Sequence, residues 1–254
     1  MNTYDVSVPG RTWFLCGDST MADYPAARAP MTGWGQALRE LLPAGERAVN
    51  LAVCGRSSKS FIDEGRLEAL EPQLRKGDVL VISFGHNDEK ADPARHTTPW
   101  DSYPRTLLQY IEAARRHGAE PVLVTPIARR HFDEHGHPLF THGEYPAAMR
   151  ALAKREDLRL VDLEAATMAL LEALGPEESK RLYCHVPAGH PNYPDGAKDD
   201  SHLHRRGAVR FAGLFLSLLR GDQVTRAAMP AQFRAASGDW LTAEDESVGY
   251  PTKS

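Results

Sequence analysis

Five short apolar runs recur along the chain, at residues 13–16, 49–53, 79–84, 121–125 and 158–162, and each is followed by enough sequence for a crossover helix. Strands separated by helix-length connections return parallel to one another, so a chain with this rhythm is confined to a narrow set of folds. Runs that are apolar throughout, rather than alternating, belong to strands covered on both faces. The pattern therefore predicts a doubly wound α/β domain with a parallel sheet. Helices are expected over 36–42, 66–74, 104–117, 146–154, 165–174 and 207–220, the clearest being 104–117, where Leu107, Leu108, Ile111 and Ala114 share one face ahead of Gly118. Two loops, 129–144 and 185–198, exceed ordinary connection lengths and are expected beside a functional site.

A length of 254 residues suits one large domain, and 42% hydrophobic with 25% charged residues is the balance of a globular protein. The net charge of −4 comes with no basic stripe, which excludes nucleic acid as the natural partner. Nor does any stretch reach the run of about 18 apolar residues that would imply a membrane span. The first residues lack the basic start and apolar core of a secretion signal, so a cytoplasmic location is expected. Cys16, Cys54 and Cys184 are odd in number and show no CxxC spacing, which argues for buried free thiols over a disulfide or zinc framework. The patterned domain ends near residue 221. Residues 222–254 read as a tail that packs on the domain or on a partner, such as a second copy in a homodimer.

Three strand ends carry residues suited to acyl transfer. The first run closes on Gly17-Asp18-Ser19, the second on Cys54-Gly55 and the third on Gly85-His86-Asn87-Asp88. In an open parallel sheet the carboxyl ends of the strands face the ligand, so these groups converge on one edge. Ser19 is the expected nucleophile. Its own N–H, the N–H of Gly55 and the side-chain amide of Asn87 are the expected oxyanion-hole donors. A serine hydroxyl needs a base held by a third group. Asp199-Asp200-Ser201-His202 supplies both, with His202 as base and Asp199 as its orienter, although Asp200 is placed as well on paper. Taken singly, each residue also has a plain structural reading, as a helix cap, a turn glycine, an Asx-turn or an acidic helix start. Their coincidence at successive strand ends is what favours chemistry.

These blocks resemble the SGNH, or GDSL-like, hydrolases, whose four motifs supply serine, glycine, asparagine and histidine in this order. The similarity extends to the rhamnogalacturonan acetylesterases through residues 14–20, Gly33-Trp34-Gly35, residues 55–61, residues 84–88, Val124-Thr125-Pro126, Pro191-Asn192-Tyr193 and residues 199–203. It covers roughly residues 11–220. The resemblance implies a flavodoxin-like three-layer α/β/α sandwich on a five-stranded parallel sheet. It also implies removal of acetyl groups from rhamnogalacturonan-derived oligosaccharides through Ser19, Asp199 and His202, with no metal or cofactor. A carboxylate-bearing substrate suggests a cationic contact, for which Arg56, Arg129 and Arg130 are candidates, with His86 beside them.

Three rivals remain. His131, His135, His137 and His142 crowd one loop as zinc ligands would, but Gly136 and Pro138 interrupt any helix and the spacing is not HExxH. The same chemistry fits another acylated substrate, such as acetylated xylan, sialic acid or a lipid. A non-catalytic sugar-binding protein would keep the fold and lose a triad member.

Overall fold

In the computed structural model, which describes residues 10–221, each of the five apolar runs contributes a strand to one sheet, although the second strand is shifted to Arg47–Asn50 and leaves residues 51–53 outside it. The strands are β1 (Thr12–Gly17), β2 (Arg47–Asn50), β3 (Val79–Ser83), β4 (Glu120–Val124) and β5 (Arg159–Val161). They stand in the order β2-β1-β3-β4-β5, and every pairing is parallel. This is the flavodoxin-type order, and its winding reverses between β1 and β3, where open α/β sheets form their ligand crevice. The tail expected over 222–254 lies outside the described residues.

Among the described residues, seven α-helices accompany the strands: α1 (Trp34–Leu38), α2 (Ser58–Asp63), α3 (Arg66–Leu70), α4 (Ser102–Arg116), α5 (Tyr145–Arg155), α6 (Leu163–Glu178) and α7 (Arg205–Leu219). Strand alternation sends Trp13, Leu15, Val79, Val81, Val122 and Val124 into a core shared with α1, α6 and α7. Phe14, Cys16, Leu80, Ile82 and Leu123 enter a second core under α2, α3, α4 and α5. Because both faces are covered, the strands had to be apolar throughout. That is the feature the sequence displays.

The helix expected over 66–74 stops at Leu70, and Glu71–Gln73 tighten into a 3-10 turn because Pro72 has no N–H to continue the ladder. The short helix α2 was not anticipated. It begins in a reciprocal capping box between Ser57 and Ser60. A second, antiparallel sheet was not anticipated either: β6 (Tyr183–Val186) pairs with β7 (Ala197–Leu203), shrinking the expected loop to 187–196. Cys16 and Cys184 are buried free thiols, whereas Cys54 is free but exposed, contrary to the expectation for it.

The segment that leaves Ser19 is pinned against α1. A Cβ on Gly33 would lie 2.1 Å from the Ala22 carbonyl oxygen, so no side chain fits there. The buried Trp34 donates its backbone N–H to Thr20 O at 2.9 Å, and Asn50 Nδ2 donates to Met21 O at 2.8 Å. Gly33→Ala must push two backbones apart beside the site. It is expected to cost about 3 kcal/mol, read as a lowered urea midpoint with unchanged slope.

Candidate active site

Ser19 sits two residues beyond β1 at the switch point, half-buried on a tight turn. The turn is closed by Met21 N–H and Ala22 N–H, which donate to Asp18 O at 3.2 and 3.0 Å. Asp18 lies beneath it and accepts hydrogen bonds from Thr20 N–H (2.9 Å) and Thr20 Oγ1 (2.8 Å). Tyr24 donates its hydroxyl to Ser19 O at 2.8 Å, and its ring meets that of His202 edge-on.

His202 arrives from the other sheet. Its Nε2 is 2.9 Å from Ser19 Oγ, and its Nδ1 is 2.7 Å from Asp199 Oδ2. With Asp199 ionised, this network assigns the proton to Nδ1 and leaves Nε2 to accept the serine proton. The local backbone explains how two residues three apart on a strand can touch. In a regular strand they would be about 10 Å apart and on opposite faces. Here Tyr183 pairs with Leu203 and His185 with Lys198, so two steps along β6 face five along β7 and the surplus bulges outward. Asp199 Oδ1 stabilises the bulge by accepting the N–H groups of Ser201 (2.9 Å) and His202 (2.8 Å). Burial opposes the Asp199 charge, but the bonds from the His202 ring and these backbone groups win and bring its carboxyl down to about 2.

The ambiguity between Asp199 and Asp200 is resolved by geometry. Asp200 turns away, onto Arg130 Nε at 2.5 Å and His185 Nε2 at 2.7 Å. Arg130, one of the candidate cations, is thereby tied to the strand that bears His202 and also donates to Pro176 O at 2.7 Å.

Gly55 and Asn87 flank Ser19, because β2 and β3 are the two neighbours of β1. Gly55 has φ +79° in a turn closed by Arg56 N–H on Val53 O at 3.3 Å. A Cβ there would touch nothing within 4 Å, so the backbone conformation, and not crowding, calls for glycine. Asn87 Nδ2 donates to Arg56 O at 3.1 Å, leaving its second amide hydrogen for another acceptor. Asp88, fully buried, ties the same two strand ends together. Its carboxylate accepts Ser58 N–H at 3.2 and 3.1 Å, Ser58 Oγ at 2.5 Å and Thr97 Oγ1 at 3.2 Å. Sequence reasoning passed over Asp88 and Tyr24. For Asp88 the signal was its place in the Gly-His-Asn-Asp block, while Tyr24 carried none.

The other three expected substrate contacts differ in setting. Arg56 keeps about a third of its side chain exposed, with Nε on Glu64 Oε1 at 2.9 Å and Nη1 on Cys54 O at 2.9 Å. Arg129 is drawn inward: it donates to Thr141 O (3.1 Å) and His86 O (3.3 Å) and is paired closely with Glu89. His86 is buried, with its ring edge-on to His142 at 4.4 Å. Burial and the neighbouring His142 and Arg129 hold it well below the ordinary imidazole range. His142 itself is lowered to about 4 by burial and donates Nε2–H to Ile127 O at 2.9 Å. The four clustered histidines do not converge: His137 faces Glu172 at 3.0 Å, and among the described residues no group of three ligating side chains is arranged to hold a metal ion.

The chain matches the GDSL-like Lipase/Acylhydrolase family over residues 15–208 and belongs to that family. It is 48% identical to the rhamnogalacturonan acetylesterase RhgT of Bacillus subtilis over 202 residues, covering 79% of this chain and 86% of that one. The solved structure of protein YxiM from Bacillus subtilis matches with TM-score 0.71 at 28% identity, over 84% of this chain and 57% of that longer protein. A mutant of Axe2, an acetyl-xylooligosaccharide esterase from Geobacillus, shares the fold with TM-score 0.62 at 21% identity, over 85% of this chain and 97% of that one. No helix among the described residues is long and apolar enough to cross a membrane.

Asp199→Asn removes the charge that holds the His202 tautomer, and kcat is expected to fall by about 10²–10⁴, whereas Asp200→Asn should change it by less than about tenfold. Burial raises the Asp18 carboxyl to about 6 and that of Asp88 to about 7, against the hydrogen bonds each accepts. Both therefore hold protons more tightly folded than unfolded. The stability this linkage gives, complete below the unfolded value of about 4, is lost as pH rises through about 6 and 7. Because the buried His86 and His142 act in the opposite direction over the same range, the test is a difference between proteins: the melting temperature of Asp88→Asn relative to wild type is expected to rise from about pH 4 to about pH 7 and then level off.

Proposed function

We propose that this chain is a serine O-acetylesterase acting on rhamnogalacturonan-derived oligosaccharides. The observation that carries the chemistry is the unbroken line from Ser19 Oγ through His202 to Asp199, standing between the strand ends that bear Gly55 and Asn87. The substrate reading is supported by the 48% identity to a rhamnogalacturonan acetylesterase.

In this mechanism Ser19 Oγ attacks the acetyl carbonyl carbon as its proton passes to His202 Nε2. The resulting oxyanion is met by the N–H groups of Ser19 and Gly55 and the free amide hydrogen of Asn87. Collapse breaks the bond to the sugar oxygen, which takes the proton from His202 and leaves acetyl on Ser19. Water, deprotonated by His202, then attacks the acetyl-enzyme and releases acetate. Asp199 holds the ring and stays ionised throughout, since its carboxyl lies near 2. Of the candidate cations, Arg56 is the one we place against the substrate carboxylate, because it follows Gly55 directly and Glu64 leaves it partly exposed.

The test is acetate release from acetylated rhamnogalacturonan oligosaccharides, from acetylated xylo-oligosaccharides and from an aryl acetate, with Ser19→Ala in parallel. Preference for the pectic substrate, lost by at least about 10³ in the variant, is the expected result. Equal weak rates on all three would keep the nucleophile and transfer the substrate to another acetylated glycan. Binding of oligosaccharide without any turnover would instead indicate the sugar-binding alternative.

A further inference from the structure

Among the described residues, three large apolar side chains stand in solvent: Trp100 at 56% exposure, Leu139 at 44% and Phe140 at 75%. They are not scattered. Trp100 lies between β3 and α4, and Leu139 and Phe140 lie between β4 and α5, on neighbouring loops that leave the carboxyl edge of the sheet. The starts of those two helices touch, with the rings of Tyr103 and Tyr145 5.0 Å apart.

The loop that carries Phe140 is a built element. Phe132 pairs with Pro138, Leu139 N–H donates to His131 O at 2.8 Å, and Asp133 Oδ1 accepts the N–H groups of His135 and His137, each at 2.9 Å. The base of this hairpin is stitched to both halves of the site. On one side Arg129 bridges Thr141 O and His86 O, so the residue after Phe140 is one guanidinium away from the residue before Asn87. On the other, Arg130 N–H donates to Asp200 O at 2.8 Å, on the strand that bears His202. Summed end to end, with about 3.8 Å per residue step, these links hold Phe140 within roughly 20 Å of Asn87, a reach that a short oligosaccharide spans.

Covering an aromatic ring that stands in water is favourable, because it removes apolar surface from solvent. Its electron-rich face suits the C–H faces of a pyranose ring. A lipid or an apolar protein surface would call for a contiguous apolar patch. Here the ring is set among exposed polar groups, including His131, Glu134 and His135. We propose that Phe140, with Trp100 on the adjoining loop, forms an outer subsite that stacks on sugar rings of the substrate chain beyond the acetylated residue. The proposal deepens, and rests on, the reading of this site as a glycan esterase.

The experiment measures KM for acetylated rhamnogalacturonan oligosaccharides, from a disaccharide to an octasaccharide, and for an aryl acetate too small to reach the loop. Wild type, Phe140→Ala, Phe140→Tyr and the Phe140→Ala/Trp100→Ala pair are compared. Phe140 is exposed, so its substitution should leave folding intact. The expected result is a KM that falls with chain length in wild type. Phe140→Ala raises KM about tenfold on the longest chain, Phe140→Tyr restores it, and aryl acetate kinetics stay unchanged. A wild-type KM independent of length, or a double variant that keeps the length dependence, overturns the subsite. If wild type hydrolyses acetylated xylo-oligosaccharides but not the pectic chains, the proposed substrate falls. The same length comparison, made on the xylan chains, still decides the subsite.

Discussion

The hydrogen bond between Ser19 and His202 joins residues 183 apart in sequence, and both sheets are arranged so that it can form. The parallel sheet fixes Ser19 by placing β1 between β2 and β3. The small antiparallel sheet fixes His202. The two are locked together by backbone: Thr32 N–H donates to Leu203 O at 3.0 Å and Arg205 N–H to Pro30 O at 2.9 Å. Asn192 and Tyr193 reinforce the seam, reaching Ala29 O and Arg28 O at 2.8 Å each. The loop after the serine is thus also the shelf on which the histidine strand rests, and a shift in one carries the other along.

The electrostatic design separates two kinds of carboxylate. Asp199 is partly buried and surrounded by donors, so it remains charged where a charge is useful. Asp18 and Asp88 lie deeper and have hydroxyl and amide donors in place of cations, so their ionisation opposes folding near neutral pH. Both tie turns that carry the reacting groups. Holding carboxyl groups in the interior fixes those turns at a cost to global stability.

Much of this was legible in the sequence, for identifiable reasons. A strand buried on both faces must be apolar throughout, so β1, β3 and β4 declared themselves, and the crossover rule then ordered the helices. That Ser19, Gly55 and Asn87 would meet was legible because each follows one of three strands that the crossover pattern sets side by side. What the sequence concealed depends on pairing at long range. β7 is polar and bulged, with none of the alternation that marks a strand, and only its pairing with β6 makes it one. The choice of Asp199 over Asp200 is decided by that bulge. Arg129 and His86 looked available for substrate because sequence alone does not reveal that Glu89 and His142 already engage them.

The proposed chemistry requires a covalent acetyl intermediate at Ser19. The most direct measurement is rapid acid quench of the protein during turnover of an aryl acetate, followed by peptide mass spectrometry. One acetyl group on the peptide that contains Ser19, absent from Ser19→Ala, is the predicted result. Turnover at full rate with no acetyl-enzyme, or an acetyl group carried by another residue, would contradict the mechanism.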